Sequence, residues 1–138
     1  MSFSSTRLGD SCMYAWGTEL SYSEKTLEIL SYIKIRDKKY PVEEIGSSAF
    51  QDFTTITKLK ISNTVKAINS MAFYGCSNLK SITFGKKLVR IDEYAFANCK
   101  KLSSVKLPDS VKEIGKKAFS GPCTLLFRCS FPVLRCWC

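Results

Sequence analysis

At 138 residues with 45% apolar content, the chain offers one domain's worth of globular sequence. It contains no histidine, so the commonest general base is missing and neither a Ser-His nor a Cys-His pair can form. Its net charge of +9 invites acidic partners, and because the first 41 residues hold six basic against five acidic side chains, nearly all of the excess lies beyond them.

Residues 1–41 read as an N-terminal segment and a β-rich cap. The first 20 are polar and broken by Gly9 and Gly17, and MSFSSTRLGDSCMYAWG has no apolar stretch of the kind a secretory signal needs. No window approaches a membrane span, so no transmembrane segment is expected. From Tyr22 to Ile35, TLEIL and SYIKI alternate apolar and polar residues as half-buried strands do. Asp37-Lys38-Lys39 then predicts a turn before Tyr40-Pro41. A cap has a physical purpose, because an uncovered first repeat would leave an apolar face and a strand edge in water.

Residues 42–131 are repetitive. VEEIGSSAFQDFTTITKLKISNT, VKAINSMAFYGCSNLKSITFGKK and LVRIDEYAFANCKKLSSVKLPDS superpose with a period of 23 residues, and a fourth copy opens at Val111 with VKEIGKKAFSG. Ile45, Ile68, Ile91 and Ile114 share a column, as do Ala49, Ala72, Ala95 and Ala118, and Phe50, Phe73, Phe96 and Phe119. A fixed period with several invariant columns predicts a solenoid, each coil burying itself against its neighbours. Within each copy V-x-x-I points inward, and the Ala-Phe pair is expected in a short helical or 3-10 turn. Ala leaves room for close backbone approach there, and Phe fills the centre. Asp52, Gly75, Asn98 and Gly121 share a tolerance of the left-handed conformation, so their column is read as a backbone requirement. The second half of each copy reads L-x-x-L-x-L, as in Leu79, Ile82 and Phe84, and its last three positions predict a short strand that stacks into a parallel sheet. Cys76 and Cys99 occupy the column that Phe53 fills in the first copy, which predicts buried structural thiols.

The fourth copy is irregular. Gly121-Pro122-Cys123 holds one extra residue, and the register shifted to admit it makes Leu126, Cys129 and Phe131 the L-x-x-L-x-L positions. Residues 132–138 form an apolar, Cys-rich tail. Such an end exposes the face meant for a further coil and leaves three readings open: a partial array, a terminus packed back on the last coil, or self-association through the C-terminal end. Cys123, Cys129, Cys136 and Cys138 show no recognisable zinc spacing, so no metal and no cofactor are expected.

The pattern I-G-x-x-A-F-x-x-C-x-x-L-x-x-[IV]-x-[LF]-P, carried here by IDEYAFANCKKLSSVKLP and INSMAFYGCSNLKSITF, resembles the BspA-like leucine-rich repeats over about residues 40 to 132. YPVEEIGSSAF resembles the way such arrays begin, and the asparagine ladder of other leucine-rich repeats is lacking. The resemblance implies an α/β repeat solenoid: a short right-handed leucine-rich repeat array with a parallel β-sheet on its concave face, short helical or 3-10 turns on its convex side, and a β-rich N-terminal cap. It also implies a non-enzymatic protein-binding or adhesion module, of a kind often found in surface or secreted proteins that adhere to host or extracellular-matrix proteins. A cytoplasmic location stays open beside a surface or secreted one. Repeat similarity identifies a scaffold better than a ligand.

On the concave sheet, the third and fifth positions of L-x-x-L-x-L face outward. They predict a ligand-binding face made of Lys58, Lys60, Ser81, Thr83, Ser104, Lys106 and, in the shifted register, Arg128. Amines and hydroxyls donate to carboxylates, sulfates and phosphates, so the expected partner is an acidic protein. The alternatives are an anionic polymer (a sulfated glycan or nucleic acid), a solvated sheet without a ligand, and a partial array without independent function. Lys86-Lys87, Lys100-Lys101 and Lys116-Lys117 fall at three different phases of the repeat, and few aromatics are free to stack, which argues against a dedicated nucleic-acid site. Catalytic residues are not expected. Asp92-Glu93 and Glu43-Glu44 are neighbours in sequence on the solvated convex side, and no Gly-rich phosphate loop is present.

Overall fold

The computed structural model describes residues 25–121 and three short strands outside that range, at 12–14, 22–23 and 126–128. Five strands precede the first Ala-Phe pair: β1 (Cys12–Tyr14), β2 (Tyr22–Ser23), β3 (Thr26–Ile29), β4 (Tyr32–Ile35) and β5 (Lys38–Ile45). After that, strands come alternately from the L-x-L and V-x-x-I segments. They are β6 (Lys58–Ile61), β7 (Ala67–Ile68), β8 (Ser81–Thr83), β9 (Arg90–Ile91), β10 (Ser104–Lys106), β11 (Glu113–Ile114) and β12 (Leu126–Arg128).

The period in the sequence becomes register in space. The V-x-x-I strands run in the order β1-β5-β7-β9-β11, with β4 folded back on β5. Ile45 pairs with Ile68, Ile68 with Ile91 and Ile91 with Ile114, all in parallel. The L-x-L strands run β2-β3-β6-β8, and β10 pairs with β12 in a sheet of its own. Leu27 lies opposite Leu59, and Leu59 opposite Ile82. The segment read as a cap therefore joins both sheets, and β3 supplies the neighbour that the edge of β6 requires.

Between the two ladders sits one continuous apolar core that includes Ile45, Ile68, Leu79, Leu88 and Ile91, each fully buried. The Phe column stacks through it. Phe50–Phe73, Phe73–Phe96 and Phe96–Phe119 have ring centroids 5.2, 5.2 and 5.3 Å apart and interplanar angles of 7°, 3° and 5°. Those separations slightly exceed the strand spacing of about 4.8 Å, so the rings slip into the offset arrangement that the aromatic quadrupole favours.

The turns differ from expectation. No helix occurs among the described residues, and 47–52, 70–75 and 93–98 are successions of turns. Two residues per turn are left-handed, Ser48 and Asp52 (φ 56° and 55°), Met71 and Gly75 (57° and 74°), and Tyr94 and Asn98 (55° and 59°); Lys117 (53°) begins the fourth set, but Gly121, expected to complete it, is not left-handed. Left-handed residues four apart break a helix at both ends of the Ala-Phe pair. The backbone turns outward instead. Phe50 N donates to Ala72 O at 2.7 Å, Phe73 N to Ala95 O at 2.8 Å and Phe96 N to Ala118 O at 2.7 Å. The N–H groups between these close i to i−3 turns, as Ala49 N does on Gly46 O at 3.2 Å and Gln51 N on Ser48 O at 3.3 Å, so single turns alternate with a third wall of inter-repeat hydrogen bonds and no helix forms among the described residues.

Candidate ligand-binding face

Alternation along β6 and β8 decides which side chains reach solvent. Lys58, Lys60, Ser81 and Thr83 are exposed, while Leu59, Ile61 and Ile82 between them are buried. Lys58 lies opposite Ser81 and Lys60 opposite Thr83, so the four form two adjacent rows across one face. Lys106 is exposed on β10, where Val105 and Leu107 are buried. Ser104 and Arg128 are placed by backbone register. β10 and β12 lie outside the β2-β3-β6-β8 sheet, so the seven predicted residues are divided between two sheets.

Two corrections follow from the pairing. Arg128 pairs with Lys106, and Ser104 pairs with Leu126. The shifted register that set Arg128 beside Ser104 is therefore not the one adopted: the fourth strand sits two residues away from it in the ladder. Ser104 and Leu126 are 22 residues apart where the regular period is 23 and the shifted register requires 24, because a strand aligns by its backbone ladder and not by the count of residues in the loop before it. Cys123, Cys129, Phe131 and the 132–138 tail lie outside the described residues.

The second correction concerns charge. Glu28, on β3, lies opposite Lys60, and its carboxylate accepts from Lys60 Nζ at 2.8 Å. Thr26 lies opposite Lys58. The face thus begins one strand earlier than predicted and carries an acidic residue where the sequence reading has only bases. Lys58 and Lys106 have no ion-pair partner among the described residues, and they carry its uncompensated charge. Once the strands are aligned, TLEI (26–29) matches KLKI (58–61) position for position, with Glu28 standing where the repeat has Lys60.

The acidic pairs occupy the other ladder. Glu43 binds Lys66 Nζ at 2.8 Å, Glu44 accepts from Asn69 Nδ2 at 3.5 Å, and Asp92 lies 3.0 Å from Arg90 Nε. Glu43 and Glu44 are tied to the next repeat and Asp92 to Arg90 of its own, which is a structural use. Cys76 and Cys99 are buried free thiols whose Sγ atoms donate to Phe50 O and Phe73 O at 3.2 and 3.4 Å. Burial pushes both up to about 12, so they stay protonated and poorly nucleophilic. Among the described residues no group of three His, Cys, Asp or Glu could hold a metal, and no helix is long and apolar enough to cross a membrane.

Comparison with known proteins agrees with this architecture. A leucine-rich repeat protein of Bacteroides capillosus superposes with a TM-score of 0.70 at 25% identity, covering 78% of this chain and 80% of that one. One from Bacteroides ovatus gives 0.65 at 22% identity over 91% of this chain and 38% of its own, which speaks to fold alone. The Treponema pallidum leucine-rich repeat protein gives 0.57 at 25% identity over 86% of this chain and 58% of that one. A search of curated proteins finds no match. The family model of the BspA-type leucine-rich repeat region matches residues 24–133 in six copies, beginning two residues before β3. Parallel ladders one period apart, the stacked Phe column and this match over most of the sequence place the chain in the BspA-type leucine-rich repeat family.

Proposed function

We propose that the chain is a non-enzymatic protein-binding module of the adhesion type, acting at the cell surface or outside the cell, and that its ligand face is the outward side of the L-x-L strands. One observation carries the reading. Lys58, Ser81 and Thr83 stand exposed on strands locked in register, with Thr26 and the Lys60–Glu28 pair beside them. The array is broad and shallow, alternates charge with hydroxyls, and makes no demand on the fold. Ser104, Lys106 and Arg128 extend it on the neighbouring strands. An acidic protein surface matches such a face, with the amines of Lys58 and Lys106, which pair with no acid among the described residues, meeting carboxylates and the hydroxyls fixing orientation.

The second reading, an electrostatic binder of an anionic polymer, draws on the net charge of +9. Neutralisation of Lys60 by Glu28 weighs against it, because a polyanion track profits from uninterrupted positive charge. Surface plasmon resonance against a panel of acidic extracellular-matrix proteins and heparin, across a salt series, separates the two. Protein binding with a shallow salt dependence, lost in Lys58→Glu/Lys106→Glu, supports the module. A steep linear fall of log affinity with log salt, confined to heparin, supports the polymer. Unchanged protein affinity in the double variant removes this face from consideration.

A further inference from the structure

A second surface lies on the hairpin that precedes the repeats. β4 and β5 are joined by Arg36 and Asp37, both left-handed (φ 45° and 64°), the signature of a two-residue type I′ turn. In such a hairpin the residues flanking the turn exchange hydrogen bonds, so Ile35 bonds with Lys38 and, two residues on, Ile33 with Tyr40. Pro41, which has no N–H, falls opposite Tyr32 at a non-bonded pair, as that register requires. By the same alternation the N–H and C=O groups of Tyr32 and Lys34 point away from β5. Among the described residues β4 pairs with β5 alone, so these four backbone groups line an edge that no described strand takes up.

The side chains around this edge are unusual in charge. Lys34, Arg36, Lys38 and Lys39 surround a single acid, Asp37, and all five are exposed. Lys34 reaches Asp37 at 3.6 Å, a loose pair on a carboxylate that is 97% exposed. Tyr32 is 48% exposed, with Lys39 Nζ 4.8 Å from its ring centroid. Lysines on an edge discourage pairing with another copy of the same edge, since like charges would be brought together. They attract a strand of opposite charge. The edge is therefore selective, with backbone groups able to pair with any extended chain and side chains that favour an acidic one.

We infer that β4 receives an extended acidic peptide by strand addition, its backbone bonding to Tyr32 and Lys34 and its carboxylates meeting Lys34, Arg36 and Lys39. This surface is separate from the outward face of β6 and β8, and the test distinguishes them. Fluorescence anisotropy is measured with a labelled short peptide of alternating Glu and Val, with its Lys-Val counterpart, and with a Glu-Val peptide N-methylated at alternate amides. The Glu-Val peptide binds and the Lys-Val peptide does not. N-methylation weakens binding by about tenfold or more, because it removes the ladder and leaves the charge. Lys34→Glu/Lys39→Glu abolishes binding with an unchanged circular dichroism spectrum, whereas Lys58→Glu/Lys106→Glu leaves it intact. Failure of the Glu-Val peptide to bind overturns the inference. So does equal binding of the N-methylated peptide, which would mean charge attraction alone. Loss of binding only in Lys58→Glu/Lys106→Glu moves the contact to the other face, and a concentration-dependent dimer that Lys34→Glu/Lys39→Glu abolishes assigns the edge to a second copy.

Discussion

The turn wall and the L-x-L wall apply the same 23-residue translation to different ends. On the turn wall the backbone hydrogen bonds between described repeats all run one way. Ser48, Phe50 and Asp52 donate to Ser70, Ala72 and Tyr74 of the next repeat, and Met71, Phe73 and Gly75 donate to Glu93, Ala95 and Ala97. The side chains there are constrained by left-handed backbone, by close approach at Ala72 and Ala95, and by the ring stack. On the L-x-L wall the ladder holds the backbone equally well, yet every second side chain points to water and answers to nothing in the fold. A repeat protein can therefore keep its architecture in one wall and vary its chemistry on the other.

Removing an aromatic ring tests that division most severely. Phe73 is fully buried between two stacked rings, and Phe73→Ala should cost about 3–5 kcal/mol in urea unfolding. Lys58→Ala, on the outward face, should stay within about 0.5 kcal/mol. Comparable losses at the two sites would erase the distinction.

The buried thiols offer a second test, by pH. Their values rise from 9.0 to about 12 on folding, so above pH 9 the unfolded chain gives up protons that the folded chain keeps. Stability attributable to each thiol is complete below pH 9 and is lost as pH climbs towards 12. The slope in that window is about 1.4 kcal/mol per pH unit per thiol. A Cys76→Ala/Cys99→Ala variant should show a flatter decline than the parent in unfolding series at successive alkaline pH values. Identical slopes would place the thiols in contact with water.

A finer test concerns the left-handed residue at the start of each turn. Met71 has φ 57° and is 38% exposed, so its side chain contributes little packing. Met71→Val should destabilise by about 1–2 kcal/mol, since a β-branched residue is poorly accommodated there, while Met71→Gly should change thermal stability far less. The smallest effect is expected for Lys60→Ala. The Lys60–Glu28 pair is solvent-exposed, and its loss should alter stability by less than about 1 kcal/mol.

The repeated columns were the legible part of the fold. The inward Ile, Ala and Phe positions, the strand in L-x-L, and the left-handed column of Asp52, Gly75 and Asn98 all follow from residue types whose physical preferences are strong. The other left-handed column was hidden, because Ser48, Met71, Tyr94 and Lys117 have no shared preference for that conformation. Ser48, Met71 and Tyr94 are held in it by the hydrogen bonds their N–H groups make to Ser70, Glu93 and Lys116 of the next repeat, a contact that exists only once repeats are stacked. Outward exposure at Lys58, Lys60, Ser81, Thr83 and Lys106 was equally legible from alternation. The carboxylate of Glu28 on Lys60 was not, since nothing in the linear order announces that residues 26–29 pair with residues 58–61.

The sequence by itself determined the period, the inward columns and the side chains offered to solvent, because each depends on short-range alternation or on the intrinsic preference of a residue. Tertiary structure decided the rest. It set the register of the fourth strand, tied alternate N–H groups of the turns to the next repeat, and brought the segment before the repeats into the same sheets. Those outcomes depend on which backbone groups meet across a repeat boundary, and that is a property of the stack as a whole.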